Sequence, residues 1–345
     1  MRIVPCLIAV AGLFLSGCGP SRAVSVKDLS ELRDYSFQTA VDKPQAQWNP
    51  LSYQLVARSP KGFALFDEGM DKQLFLASQV TGEAFDPCWI DHRRVVFGPE
   101  KAMITAPDGR PVPNSQGLTM VELGGAVTAV SDYGWRPRMW GTAIVAQEQD
   151  HIFTIDKEGN RREFAPGFRP EPQRNGLGIA WLDKPVIDQD YWSGDGQRRG
   201  KLIIRWERNE VTEVPNAIEP AWTADGGVVA TVLRNEPKAG EPWWAGGTDL
   251  IYIAGPEAKP RLIARDARSA APHPKQPLVA ATDSTNGALI LCNLAIDERV
   301  RYADHGDHPQ WSADGVRLVA EEPVPGKPDI RALHVYVFKL TLPER

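Results

Sequence analysis

From about residue 35 onward the chain is written in short runs of alternating apolar and polar residues, separated by clusters of Gly, Pro, Asp and Asn. His151-Ile152-Phe153-Thr154-Ile155, Lys201-Leu202-Ile203-Ile204-Arg205, Leu250-Ile251-Tyr252-Ile253 and Leu333-His334-Val335-Tyr336-Val337 alternate with a period of two. That is the signature of strands with one face covered. The runs also recur as a unit. Pro309-Gln310-Trp311-Ser312-Ala313-Asp314-Gly315 leads into Val316-Arg317-Leu318-Val319-Ala320, and Pro220-Ala221-Trp222-Thr223-Ala224-Asp225-Gly226 leads into Gly227-Val228-Val229-Ala230. Looser copies begin at Trp48, Trp89, Trp135 and Trp181, and a seventh carries His273 in the Trp place. The spacing, about 44 residues, is that of one four-stranded propeller blade. In each unit an Asp-Gly turn, or its equivalent, joins a short inner strand to a β-branched second strand.

A four-stranded sheet this small cannot bury a face alone, so the units are expected to stack radially, with the repeat Trp rings packed between neighbours. The predicted fold is therefore all-β: a seven-bladed β-propeller, or six-bladed if the His273 unit is an insertion. After Trp311 only two further strands fit before the C-terminus. Tyr35-Ser36-Phe37-Gln38-Thr39-Ala40-Val41 alternates and precedes the first unit. It is expected to supply the missing outer strand and so close the ring, removing an open edge.

The P-x-W-S-x-D-G units, strongest at Trp222 and Trp311, resemble the repeat of TolB-type propellers. The resemblance covers about residues 35 to 340 and implies the propeller alone. TolB carries a separate α/β domain ahead of its blades, whereas only Gly19 to Asp34 separates the leader from the first strand here. TolB's partners therefore do not follow from the resemblance.

The first residues have a different character. Met1-Arg2 is followed by an apolar stretch, Ile3 to Leu15, and then Leu15-Ser16-Gly17-Cys18. Thirteen apolar residues are too few to span a bilayer as a helix. The small residues before Cys18 resemble the lipobox of bacterial lipoproteins, which implies cleavage before Cys18 and acylation of its thiol. The expected organisation is a signal peptide at 1–17, a lipidated tether at 18–34 and the propeller at 35–345. Gly19, in place of the Asp that tends to retain lipoproteins at the inner membrane, leans this resemblance toward the outer membrane. The propeller would then hang from a membrane into the periplasm.

Composition narrows the function. With 39 Lys and Arg against 44 Asp and Glu, the formal net charge is −5, so no basic excess is available for a nucleic-acid backbone. The chain has four cysteines; two remain beyond Cys18. Cys88 and Cys292 fall in units expected to lie across the ring, which favours two separate thiols over a bridge. Neither G-x-S-x-G nor H-E-x-x-H occurs, and the stretch Gly194 to Leu202 imitates a phosphate loop with the wrong spacing. No cofactor is implied.

Two groups of residues are candidates for contact with a partner. Tyr191 and Trp192 lie in a Gly-rich loop of the fourth unit, Trp243 and Trp244 in a Gly/Pro loop of the fifth, and Glu322 to Pro328 form a further loop in the seventh. Exposed aromatics on rigid loops suit a sugar face or an interface hot spot. Three residues before each repeat Trp lie Gln45, Asp86, Asp132, Gly178, Glu219 and His308, which are expected to converge on the channel mouth as a negative funnel. Asp304-His305-Gly306-Asp307-His308 adds His305, Asp307 and His308 as weak candidate metal ligands. The expected function is a binding or assembly platform whose partner is an envelope protein or an envelope glycan. The alternative is a metal-dependent carbohydrate-active enzyme of the general layout of oligogalacturonate lyases.

Overall fold

The computed structural model describes residues 25–340 apart from 40, 42–43, 60–61, 67–72, 76–83, 100–102, 106–110, 114–116, 125, 185–199 and 239–240. Cys18, Tyr191 and Trp192 lie outside the described residues. The chain forms seven four-stranded antiparallel sheets, with a two-stranded hairpin, Met103–Thr105 and Pro111–Pro113, inserted in the second. Each inner strand touches that of the next sheet, and the inner strand of the seventh touches that of the first. The result is a seven-bladed β-propeller. The His273 unit is a full blade, with strands Ala267–Pro272, Leu278–Asp283, Leu289–Asn293 and Glu298–Ala303. This excludes the six-bladed alternative.

The inner strands of blades 1 to 7 are Gln47–Trp48, Ala84–Trp89, Trp135–Trp140, Phe168–Pro172, Ala217–Trp222, Ala267–Pro272 and Asp307–Trp311. Pairing corrects the register expected for three of them. Trp135 opens the third inner strand, where the repeat-Trp position is held by Met139; Trp181 belongs to the second strand of blade 4, Ile179–Leu182, and Pro172 takes its place. Pro272 holds that position in blade 6, and His273 stands one residue beyond it. The Trp does recur at 48, 89, 222 and 311, and at the first three its indole N–H knits blades together, while the Trp311 N–H has no such partner. Trp48 Nε1 donates to the Gln310 carbonyl at 3.1 Å, Trp89 to Gln47 at 3.1 Å and Trp222 to Glu171 at 2.9 Å. Every one of these acceptors lies in the preceding blade, one residue before its own Trp-equivalent position.

Replacing Trp222 by Phe should keep the ring packing and strand that carbonyl, at a cost of about 1–3 kcal/mol. Chemical denaturation reads the loss as a lower midpoint at unchanged slope; an unaltered midpoint would show that the indole N–H contributes nothing.

The seventh blade is closed as the sequence implies. Leu29–Gln38 pairs antiparallel with Lys327–Leu340, setting Tyr35 opposite Val335 and Phe37 opposite Leu333. The strand starts at Leu29, six residues ahead of Tyr35 and inside the segment expected to be tether. Ahead of it, Ser25 Oγ and Val26 N donate to the Glu298 carboxylate of blade 6 at 2.7 and 2.8 Å, and the Val26 side chain is buried. His334, on the central strand of the closure, bonds Asp34 at 2.8 Å and Glu322 at 3.1 Å. The hydrogen bond to Glu322 raises its pKa most, burial opposes, and Asp34 adds to the rise.

Glu322 and its neighbours form no separate loop. Arg317–Val324 and Lys327–Leu340 run as one long hairpin through them.

Candidate functional site

The inner strands of blades 2 to 7 carry the same irregularity near their start. In blade 2, Phe85 opposes Gly98 and Cys88 opposes Val96, so the inner strand holds one residue more than its partner. The same one-residue bulge recurs in blades 3 to 7. The first residue of each bulge has a positive φ: Asp86 (55°), Arg136 (53°), Arg169 (51°), Glu219 (49°), Ser269 (52°) and His308 (44°), with Gln45 (47°) at the equivalent place in blade 1. In five of the seven blades the next residue is Pro: Pro87, Pro137, Pro170, Pro220 and Pro309. A bulge leaves backbone groups out of the ladder, and Pro has no N–H to leave unpaired.

Four of the N–H groups at these positions are held by the neighbouring blade. Asp86 N donates to Gln45 Oε1 at 2.9 Å, Arg169 N to Gln147 Oε1 at 2.8 Å, Ser269 N to Glu219 Oε2 at 3.0 Å and Gln45 N to Glu321 Oε1 at 3.3 Å. Each bond crosses from one blade to the next, passing from blade 1 to 2, 3 to 4, 5 to 6 and 7 to 1. His308 N is instead taken by Asp307 Oδ1 at 3.0 Å. Seven positive-φ positions thus ring the mouth, four of them fixed by a side chain of the adjacent blade.

Of the sequence-predicted set, the bulges gather Asp86, Glu219 and His308, together with Gln45. Asp132 is exposed in the connection leading into blade 3, and Gly178 directly precedes the second strand of blade 4, Ile179–Leu182, so neither is a bulge residue. Arg136 and Arg169 stand where those two were expected. The mouth is therefore not a negative funnel: it carries both signs, with Arg136, Arg138 and Arg169 on blades 3 and 4 and Arg268 on blade 6. Arg138 links Asp86 (3.3 Å) to Glu171 (3.1 Å). Burial would raise the Asp86 pKa, but Arg138 and Arg136 overcome it and hold the carboxylate below its usual range. At Glu171 burial wins and the pKa rises.

Across the mouth, Arg268 grips Asp307 with two bonds of 2.7 and 2.8 Å. Asp307 and Glu321 both face His308, at 3.7 and 3.5 Å. Burial would lower the His308 pKa, yet the two carboxylates raise it to about 10. A protonated imidazole has no free nitrogen lone pair for a metal, Asp307 is engaged by Arg268, and His305 is exposed. Among the described residues no three His, Cys, Asp or Glu side chains converge as a metal site. The weak ligand set of His305, Asp307 and His308 is not assembled.

The loop of blade 5 folds inward. Trp243 is 7% exposed and packs in the core between blades 4 and 5, so it is not the exposed anchor expected. Trp244 meets Trp243 edge to face at 5.5 Å, and the Arg268 guanidinium lies 4.1 Å from its ring centroid. Half-buried, Trp244 forms part of the rim through that cation–π contact. His273 is likewise structural. Its Nδ1 accepts from Lys275 N (3.1 Å) and Gln276 N (3.0 Å), so Nε2 carries the proton and donates to Gly315 O at 2.9 Å. Burial lowers its pKa and keeps it neutral. Cys88 and Cys292 are free thiols that burial pushes up to about 11.

No family model matches the chain, and no curated protein matches it in sequence. Solved structures do. Hydrazine synthase of Kuenenia stuttgartiensis aligns over 86% of this chain and 96% of its own, at 12% identity and a TM-score of 0.59. YCF48, in a structure bound to D1 peptide, aligns over 88% and 96%, at 9% identity and a TM-score of 0.56. TolB of Acinetobacter baumannii aligns over 89% of this chain and 65% of its own, at 9% identity and a TM-score of 0.44. At these identities the likeness is one of fold, and the fold is the β-propeller.

Proposed function

We propose that the chain is a lipid-anchored β-propeller of the bacterial cell envelope, held by acylated Cys18, facing the periplasm from the outer membrane, and binding an envelope protein or glycan at its channel mouth. The observation that carries the reading is the ring of seven positive-φ positions, six of them bulges. It presents side chains of both signs on a backbone tied at four positions to the neighbouring blade, which is the rigidity that lowers the cost of ordering a binding surface. The carboxylates there are tied to guanidinium or backbone N–H groups, an arrangement that holds a partner rather than one poised to exchange protons with it. YCF48 gives the precedent of a propeller of this fold bound to a peptide. The leader and Leu15-Ser16-Gly17-Cys18 support the anchor.

Capture from intact envelope tests both halves. The variant Arg136→Ala with His308→Ala should lose the partner that the native chain brings down, while its circular dichroism spectrum stays native. Equal recovery by the two proteins would remove the mouth from the site. Cys18→Ser should move the protein out of the membrane fraction; unchanged fractionation would remove the anchor.

A further inference from the structure

The face opposite the mouth carries the turns that follow the inner strands and those that lead into the outer strands. Most of the exposed large apolar side chains of the described residues lie there. Leu51, Tyr53, Leu177 and Val316 sit in turns after inner strands, Ile296 in a turn before an outer strand, and Val127 and Val211 at the first residue of outer strands. In the loops of the mouth face, Tyr133 alone matches them among the described residues. The cluster has a centre. Ile296 of blade 6, Val316 of blade 7 and Leu51 and Tyr53 of blade 1 occupy three consecutive blades, and the Arg317 guanidinium lies 3.7 Å from the Tyr53 ring centroid across the junction of blades 7 and 1. Leu51 is 77% exposed. Scattered single apolar residues need no explanation, but a patch gathered on one face of a ring does.

The N-terminal segment leaves the ring from this same sector. Ser25 and Val26 are clamped by Glu298, two residues beyond Ile296. Seven residue steps separate Ser25 from Cys18, and a chain cannot exceed about 3.6 Å per residue, which limits the reach to ~25 Å whatever its conformation. The ten-residue strand Leu29–Gln38 that runs from this face toward the mouth is longer, at about 3.4 Å per residue or ~34 Å.

We propose that this face, centred on blades 6, 7 and 1, is a membrane-contact surface: it rests on the lipid bilayer with Leu51, Tyr53, Ile296 and Val316 in the interface, and so directs the channel mouth away from the membrane. The proposal rests on the anchor at Cys18, since the short link is what brings a lipid surface, rather than another protein, to this side. Tyr53 is suited to the headgroup level, where one end of a ring is apolar and the other wet.

The test uses the full lipidated chain in vesicles of phosphatidylethanolamine and phosphatidylglycerol, with Cys88 and Cys292 replaced by Ala and an environment-sensitive fluorophore attached at Leu51→Cys or, as the control, Tyr133→Cys. The label at position 51 should shift to the blue and lose emission to doxyl-labelled lipid, and the label at 133 should do neither. Protein that floats with the vesicles but leaves the label at 51 unquenched, or quenches that at 133, overturns the surface and leaves the anchor standing. Protein that does not float overturns both.

Discussion

A chain that lacks residues 25–38 should fail to close and should accumulate as an aggregating, partly ordered species. That segment provides nine paired residues along Lys327–Leu340, and without it the strand becomes a long open edge. Its apolar side chains do equal work. Val26 packs among Leu289, Trp311 and Phe338, while Tyr35 and Phe37 cover Leu333, Val335 and Val337, and Phe37 meets Phe66 of blade 1 at 4.2 Å between ring centroids. At about 1.5–3 kcal/mol for each large side chain, their loss removes ~5–9 kcal/mol. That is comparable with the whole stability of an ordinary domain, about 5–15 kcal/mol.

Near-ultraviolet circular dichroism and gel filtration read the outcome, and a synthetic peptide of residues 25–41 should restore a monomer. A truncated monomer that melts at the native temperature would sink the idea that the two ends hold the ring. The closure also has a pH signature. His334 has a raised folded pKa, so its contribution is complete below the unfolded value of 6.5 and is lost as pH rises through the folded one. His334→Gln should remove that alkaline loss.

The strand pattern, the blade period and the closing strand were all legible in the sequence, because each depends on local alternation and turn chemistry. Asp314-Gly315 is an example: Gly315 N donates to Ser312 O at 2.9 Å with Gly315 at φ 77°, a turn that the residue pair announces. Register in blades 3, 4 and 6 was not legible from Trp. The repeat position lies at the end of the inner strand, and in these blades Met139, Pro172 and Pro272 hold it in place of Trp. Meanwhile Trp135 and Trp181 lie close enough to mimic the period.

What recurs physically is the bulge, and its mark is Pro. Arg136-Pro137 and Arg169-Pro170 carry the same signal as Asp86-Pro87, Glu219-Pro220 and His308-Pro309. Aligned on that pair, the two mouth arginines would have been found. The fate of Trp243 had no such mark, since a Gly/Pro loop does not say which way its ring turns; the core between blades 4 and 5 decides it.

Alignment on the bulges also explains the strongest polar contact of the mouth. Arg268 and Asp307 each stand one residue before the bulge residue of their own blade, so they are equivalent positions of neighbouring blades and face each other. The Arg268 side chain is 6% exposed. Asp307 accepts both guanidinium bonds, a bond from Thr282 Oγ at 3.2 Å and one from His308 N. Removing the cation alone takes two charge-assisted bonds from a largely buried carboxylate, so Arg268→Met should cost about 3–5 kcal/mol in chemical denaturation. Replacing both partners, with Arg268→Met and Asp307→Leu, should cost clearly less than the sum of the single changes, because no carboxylate is then left without its guanidinium, and His308 keeps Glu321.

Acid should separate the variants further. Burial raises the Asp307 pKa, but His308 and then Arg268 overcome it and hold the carboxylate far below its usual range. A group depressed in the folded state contributes above its unfolded pKa, near 3.8, and loses that contribution as pH falls through the folded value. The contribution of Asp307 should therefore be lost only in strong acid, and Arg268→Met should bring that loss to a higher pH. Trp244, which loses the guanidinium on its ring, should change its emission in the same variant. Single variants that each cost under about 1 kcal/mol and add without coupling would mean that this pair is a surface ion pair in energy, despite its burial.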